Sequence, residues 1–213
     1  MIEQGSAEWL QARCGKITAS RFADVLSFLK NGKPSEAHQK YKRELVFEIL
    51  SGVPKQSTQA RALEWGSEIE QFAREAYEIE TGNIVKPAEF ILHPILPYVG
   101  SSPDGLVEPN GGIEIKCPYD EAKHVQALLE GMPAEHMAQV QGNMFVTGRE
   151  WWSFVSFDPR QSEPYRLYIQ QVQRDEEYIE KLQNSLKLFW DECCEMVELL
   201  KRRGAHDCIT RTH

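Results

Sequence analysis

The sequence predicts an α/β fold, with a central mixed sheet flanked by helices and a helical N-terminal region. Three features point to it. Up to Gly82, apolar residues recur at helical spacing. Between Phe90 and Cys117 the period drops to two, with Pro and Gly as punctuation. Beyond that, helical and strand-like segments alternate and the chain closes on a long amphipathic helix, the order expected when helices cover a sheet.

Ser6 is placed to cap a short helix that runs through Arg13. Thr18 is expected to cap a second helix, with Phe22, Val25, Leu26 and Leu29 as its apolar stripe. Asn31 to Ser35 reads as a loop. A third helix is expected from Glu36 to Leu50, closed by Gly52 and Pro54. The fourth is expected from Thr58 to Thr81, with a stripe of Trp65, Ile69, Phe72, Ala76 and Tyr77 and with Gly82 as its C-terminal cap. Strands follow at Phe90–Leu92, Tyr98–Gly100 and Gly112–Cys117. Helices are then expected over Glu121–Glu130 and Pro133–Val146, and a strand pair over Trp151–Phe157 and Arg166–Val172. The closing helix, Asp175 to Arg203, carries Tyr178, Leu182, Leu186, Phe189, Cys193, Val197 and Leu200 on one face. Residues 1–203 are therefore expected to form a single domain and 204–213 a flexible tail.

Composition is that of a globular protein, 41% hydrophobic and 26% charged. No run of eighteen apolar residues offers a membrane span. Met1-Ile2-Glu3-Gln4 lacks the basic-then-apolar pattern of a signal peptide, so the cytoplasm is the expected compartment. The five cysteines, Cys14, Cys117, Cys193, Cys194 and Cys208, are odd in number and form no C-x-x-C pair. That argues for reduced thiols and against a disulfide framework, a structural zinc site or an iron–sulfur cluster. The net charge of −8 speaks against a polyanionic partner, but its distribution is uneven. Residues 1–61 carry ten Lys/Arg against six Asp/Glu, and the remainder fourteen against twenty-six.

The most informative segment is Ser101-Ser102-Pro103-Asp104-Gly105 followed by Glu114-Ile115-Lys116. On a strand Glu114 and Lys116 share a face, and Asp104, from a preceding turn, can meet Glu114 across a hairpin. Two carboxylates at one point suit a hard divalent cation. A lysine beside them can orient or deprotonate a water, which together equips the site for phosphodiester hydrolysis. Each piece also has a plain reading. Pro103-Asp104-Gly105 fits an ordinary turn, and Ile113 to Cys117 an ordinary half-buried strand with a solvated face. Glu70 reads by position as one surface glutamate among several on its helix, and Arg13 as a residue that caps or packs its own. Gln139 and Gln141, on the helix after this strand, offer amides for a phosphate or a water, or plain helix surface.

Several motifs in order resemble the lambda-exonuclease-like (viral alkaline exonuclease) family of phage recombination nucleases, a branch of the PD-(D/E)XK superfamily. They are Glu8-Trp9 with the stretch from Leu10 through Arg13-Cys14-Gly15 to Thr18-Ala19-Ser20, then Leu63-Glu64-Trp65-Gly66 through Glu70. Ser102-Pro103-Asp104-Gly105, Glu114-Ile115-Lys116-Cys117-Pro118, Met137-Ala138-Gln139-Val140-Gln141 and Asp158-Pro159-Arg160 follow. Cys14 is a departure, since an apolar residue is more usual there.

The resemblance implies a PD-(D/E)XK nuclease fold. It assigns Asp104, Glu114, the Ile115 carbonyl and Glu70 to the metal site, with Mg²⁺ or Mn²⁺ and two ions per site. Lys116 becomes the residue that activates or positions the attacking water, and Gln141 the active-site glutamine. Arg13, Ser20 and Ser102 become the groups that receive a 5′-terminal phosphate. The implied activity is 5′→3′ digestion of one strand of linear double-stranded DNA to mononucleotides, leaving a 3′ single-stranded overhang. A homotrimeric ring and a single-strand-annealing partner are implied too, in the cytoplasm of a bacterial host if the gene is a phage's. The alternatives are a PD-(D/E)XK endonuclease, which would cut closed circles, and a non-catalytic DNA-end-binding module, against which the intact Asp104, Glu114 and Lys116 argue.

Overall fold

The computed structural model describes residues 4–55 and 60–210. It has the expected mixed α/β architecture. The N-terminal region is helical: α1 (Ala7–Arg13), a 3₁₀ turn (Ala19–Arg21), α2 (Phe22–Val25), α3 (Glu36–Ser51) and α4 (Ala60–Thr81). The Ser6 hydroxyl caps α1 by accepting the N–H of Trp9 at 3.2 Å. Thr18 precedes the 3₁₀ turn but makes no capping bond, because its hydroxyl accepts from Arg13 instead. α3 ends on Gly52 at φ +67°, a left-handed turn that glycine adopts without strain. The expected start of α4 at Thr58 lies outside the described residues.

Five strands make the main sheet, in the order β2 (Val85–Lys86), β5 (Gly105–Val107), β6 (Gly111–Lys116), β7 (Trp151–Phe157), β8 (Leu167–Gln173). All pairs are antiparallel except β6 with β7, which run parallel. The crossover between those two carries α5 (Glu121–Glu130), a 3₁₀ turn (Ala134–His136) and α6 (Met137–Thr147). Three short strands form a second sheet, with β1 (Ile17–Thr18) parallel to β4 (Val99–Ser101) and β3 (Ile91–Leu92) antiparallel to it. The expected hairpin of Trp151–Phe157 is β7 with β8. The expected strands from Phe90, Tyr98 and Gly112 are present with shifted ends. β1, β2 and β5, of two or three residues each, are too short to show a period and had no counterpart among the expected strands.

Helices cover both faces of the main sheet. Ala73 and Tyr77 of α4 pack with Ile113, Ile115 and Val155. Val140 and Met144 of α6 pack with Trp152 and Val172 on the opposite side. Gly112 lies opposite Trp152 in register, and a Cβ there would come within 2.3 Å of the indole, so only glycine lets the tryptophan lie flat across β6. A larger core joins the N-terminal helices to α6 and to α7 (Glu176–Thr210) through Phe22, Leu45, Leu182, Leu186 and Phe189.

Some expected core positions are exposed. Phe72 is 55% accessible, because the α4 stripe passes through Ala73, one position further round the helix. Leu29 lies beyond the end of α2 and is exposed, as is Leu200 on α7. α7 runs past the expected Arg203 to Thr210, and residues 211–213 of the expected tail lie outside the described residues. Cys14, Cys117, Cys193 and Cys194 are free thiols; the Cys208 side chain is outside the described set.

Candidate active site

β4 ends at Ser101, and Ser102-Pro103-Asp104 carries the chain into β5, whose Gly105 pairs with Ile113 of β6. That register brings the turn against the middle of β6, where Asp104 Oδ2 accepts the N–H of Ile115 at 2.6 Å. β6 is covered on both faces rather than half-solvated, so Glu114 is a buried carboxylate with 1% of its surface exposed. Buried charges need partners. Glu114 Oε1 accepts from Lys116 Nζ at 2.6 Å, and Oε2 from Asn143 Nδ2 at 2.9 Å. Lys116 Nζ also donates to Gln139 Oε1 at 3.2 Å.

Glu70, one turn of α4 before Arg74, joins the same electrostatic site. Arg74 Nη2 donates to Glu70 Oε1 at 2.9 Å and to the Asp104 carbonyl at 3.0 Å, which ties α4 to the turn. Two of the carboxylates, Asp104 and Glu70, have raised pKa values. Burial pushes Asp104 well above the usual carboxylate range, and Glu114 and Glu70 push it further. Glu70 is raised chiefly by burial and also by Glu114, with Arg74 opposing. Burial alone would lower the Lys116 ammonium's pKa, but Glu114 and Asp104 outweigh it and hold the lysine above its ordinary value. The Cys117 thiol, pushed up to about 12 by burial and by Glu70 and Asp104, is inert.

These carboxylates suit a hard divalent cation. Among the described residues no three His, Cys, Asp or Glu side chains form a ready-made metal cage. Mg²⁺ does not need one, since it is commonly held by one or two carboxylates with carbonyl, phosphate and water oxygens. Asp104 and Glu114 could supply the carboxylates, and the repulsion that Glu114 exerts on Asp104 is strain that a cation would relieve.

The glutamine at the site is Gln139 and not Gln141. Two residues apart on a helix, their side chains point in nearly opposite directions. Gln141 is buried and fully engaged elsewhere: its Nε2 donates to the Gln173 carbonyl at 2.8 Å, and its Oε1 accepts the N–H of Asp175 at 3.0 Å. It therefore fastens α6 to the junction of β8 and α7. Asn143, four residues from Gln139 and on the same face, was not among the expected site residues. The signal for both was a polar pair at i and i+4 in a helix otherwise rich in Met, Val, Phe and Ala.

Arg13, Ser20 and Ser102 come together as expected. Arg13 donates to Ser102 Oγ at 2.9 Å, Ser20 Oγ at 3.2 Å and Thr18 Oγ1 at 3.3 Å. Its guanidinium lies 4.0 Å from the centroid of the Trp9 ring. Burial lowers its pKa from the ordinary arginine value. Among the described residues its hydrogen-bond partners are neutral hydroxyls, so the cation is held in place without being neutralised.

A cleft of about 1020 Å³ opens beside Lys116, lined also by Tyr119, Lys123, His136, Phe154 and Ser156. His136 stacks on Phe154, and burial, with Lys116 and Lys123 adding, lowers its pKa to about 4, so the imidazole there is neutral at pH 7. Asp158 and Arg160 brace the cleft's rim. The buried Asp158 accepts two bonds from the Arg160 guanidinium, which reaches the carbonyls of Pro118 and Tyr119 just beyond Lys116.

Comparison with known proteins identifies the family and the fold. Residues 8–150 match the model of the YqaJ-like viral recombinase domain. The structure is similar to that of an alkaline exonuclease from Laribacter hongkongensis, at 38% identity and a TM-score of 0.86, covering 94% of this chain and 99% of that one. The same exonuclease in complex with dAMP matches with a TM-score of 0.87, at the same identity and coverage. A phage-related exonuclease from Haemophilus somnus shares the fold at 17% identity, with a TM-score of 0.72, covering 87% of this chain and 96% of that one. No curated protein matches the sequence. The chain belongs to the YqaJ-like viral recombinase family and has the fold of an alkaline exonuclease.

Proposed function

We propose that the protein is a metal-dependent exonuclease that digests one strand of linear double-stranded DNA from its 5′-phosphorylated end. Mononucleotides leave, and a 3′ single-stranded overhang remains for recombination by strand annealing. The observation that carries this reading is the spacing of two pockets on one turn. Ser102 belongs to the Arg13 pocket and Asp104 to the carboxylate site. Two residues of chain span at most about 7 Å, a reach comparable with one nucleotide. A terminal phosphate gripped by Arg13 would thus set the next phosphodiester at Asp104 and Glu114, and removal of one nucleotide would bring the next phosphate forward. The activity of the Laribacter relative supports the same reading.

Asp104, Glu114 and the Ile115 carbonyl would hold Mg²⁺ or Mn²⁺, with Glu70 reaching a second ion. The bound metal would polarise the scissile phosphate and lower the pKa of a water. Lys116, kept cationic by its carboxylate neighbours, orients the attacking water and stabilises charge that develops on the phosphate oxygens. Gln139 fixes the ammonium from the helix side. Arg13 binds and orients the 5′ end through paired, charge-assisted hydrogen bonds.

The reading extends to assembly as a homotrimer around DNA, to a single-strand-annealing partner and to the cytoplasm. Among the described residues no helix is long and apolar enough to cross a membrane. Exposed Phe28, Leu29, Phe47 and Leu50 give apolar surface that an assembly would cover. The basic balance of residues 1–61 offers charge for a DNA-facing surface despite the net −8. The test of polarity is a linear duplex labelled at either the 5′ or the 3′ end, incubated with Mg²⁺. Immediate release of label as a mononucleotide from the 5′ end alone is expected, and early release from the 3′ end refutes the direction.

A further inference from the structure

We propose that Ser101 and Asn143 are positioning residues that set the Glu114 carboxylate for metal binding. The inference rests on the metal-dependent reading above. The three side chains form one chain of hydrogen bonds. Ser101 Oγ donates to Asn143 Oδ1 at 2.5 Å, and Asn143 Nδ2 donates to Glu114 Oε2 at 2.9 Å. Ser101 and Asn143 are fully buried, and Glu114 is 1% exposed.

The order of donors admits one arrangement. An ionised carboxylate only accepts, so the amide must turn its NH₂ to Glu114. Its carbonyl then faces Ser101, whose hydroxyl is able to donate to it. Ser101 thereby fixes the sense of the Asn143 amide, and Asn143 fixes the rotation of the carboxylate. With Lys116 on Oε1 and Asn143 on Oε2, one bond falls on each oxygen, and about half of the carboxylate's four lone-pair sites remain for a cation. Partners behind a liganding carboxylate tune its affinity in this way.

The backbone under the chain is held closely at both ends. A Cβ on Gly142 would lie 2.3 Å from the Phe22 ring, so α6 sits hard against α2 just before Asn143. A Cβ on Gly100 would lie 2.2 Å from the Phe90 ring, which presses β4 down just before Ser101. Both close approaches need glycine's missing side chain; the first sets Asn143 within reach of Glu114, and the second sets Ser101 within reach of Asn143.

The test is Mn²⁺ binding in the absence of DNA, by calorimetry, on the parent, Asn143→Ala and Ser101→Ala, each checked for native circular dichroism. Asn143→Ala is expected to bind Mn²⁺ about 10- to 100-fold more weakly. Ser101→Ala removes one neutral hydrogen bond and is expected to lose about 3- to 10-fold. Digestion by both should recover as Mg²⁺ is raised, with the preference for 5′-phosphorylated ends unchanged, since neither variant touches Arg13. Parental Mn²⁺ affinity in folded Asn143→Ala overturns the inference. Should that variant not fold, parental affinity in Ser101→Ala overturns it. A parent that binds no Mn²⁺ overturns the metal-dependent function itself, which separates the two failures.

Discussion

Asp104 accepts the backbone N–H of Ile115 at 2.6 Å, and so stitches the turn before β5 to the strand that carries Glu114 and Lys116. One hydrogen bond thus ties Asp104 to the residue that stands between Glu114 and Lys116. It also places Asp104 where burial, Glu114 and Glu70 all raise its pKa.

The first prediction follows from that raised pKa. A carboxyl group whose folded pKa exceeds its unfolded value of about 3.9 stabilises the fold below that value, and this contribution is lost as the pH rises through the folded pKa. At neutral pH without metal, Asp104 is therefore a cost. Asp104→Asn should raise the Tm in EDTA, by about 2–4 °C for each kcal/mol relieved. The difference should shrink near pH 4, and Mg²⁺ should stabilise the parent more than the variant. Equal Tm values across that range would contradict the assignment of Asp104.

Lys116→Ala should lower nucleotide release by on the order of 10²–10⁴-fold while leaving a folded protein that still binds DNA ends. Lys116 acts on water and phosphate; without it the buried Glu114 keeps Asn143 as a partner, and native circular dichroism of the variant checks the fold. Release from labelled linear duplex, beside an end-binding assay, measures both. Near-parental release from the folded variant would remove Lys116 from the chemistry.

The two glutamines of α6 should separate cleanly. Gln139→Ala should slow turnover with little change in Tm, because it loses its bond to Lys116. Gln141→Ala should destabilise the protein by about 1–3 kcal/mol, because the Gln173 carbonyl and the Asp175 N–H lose their partner, yet the folded fraction should keep parental kcat. Denaturant unfolding and kcat on each variant decide it, and the reverse pattern would restore Gln141 to the site.

Arg13 governs the response to the DNA end. The parent should digest 5′-phosphorylated ends faster than 5′-hydroxyl ends. Arg13→Ala should erase most of the difference by slowing phosphorylated ends about 10- to 100-fold, the effect of losing a charge-assisted contact. If Arg13 only packs its own helix, the variant loses stability and keeps the preference. Two rates for each protein distinguish these outcomes.

Much of this was legible in the sequence, and the losses have physical causes. Long helices and the strand pair Trp151–Phe157 with Leu167–Gln173 show their periods openly. β1, β2 and β5 do not, since two or three residues hold no period and exist only through their partners. Glu114 and Lys116 were readable as neighbours from strand alternation alone. That the strand is buried on both faces was not, because it depends on α4 and α6 packing from distant parts of the chain. Gln141 was assigned to the site by resemblance, and the helical angle between residues 139 and 141 corrects it. Asn143 and Arg74 act through residues far from them in sequence, and only the fold reveals those contacts.

Metal-dependent removal of nucleotides from DNA ends can be measured directly. Linear and covalently closed circular duplexes of the same sequence are incubated with the protein in Mg²⁺ or in EDTA, and acid-soluble nucleotide is followed with time. Mononucleotides are expected from the linear duplex in Mg²⁺ alone, with the circle intact. Nicking or linearisation of the circle, or release in EDTA, would contradict it.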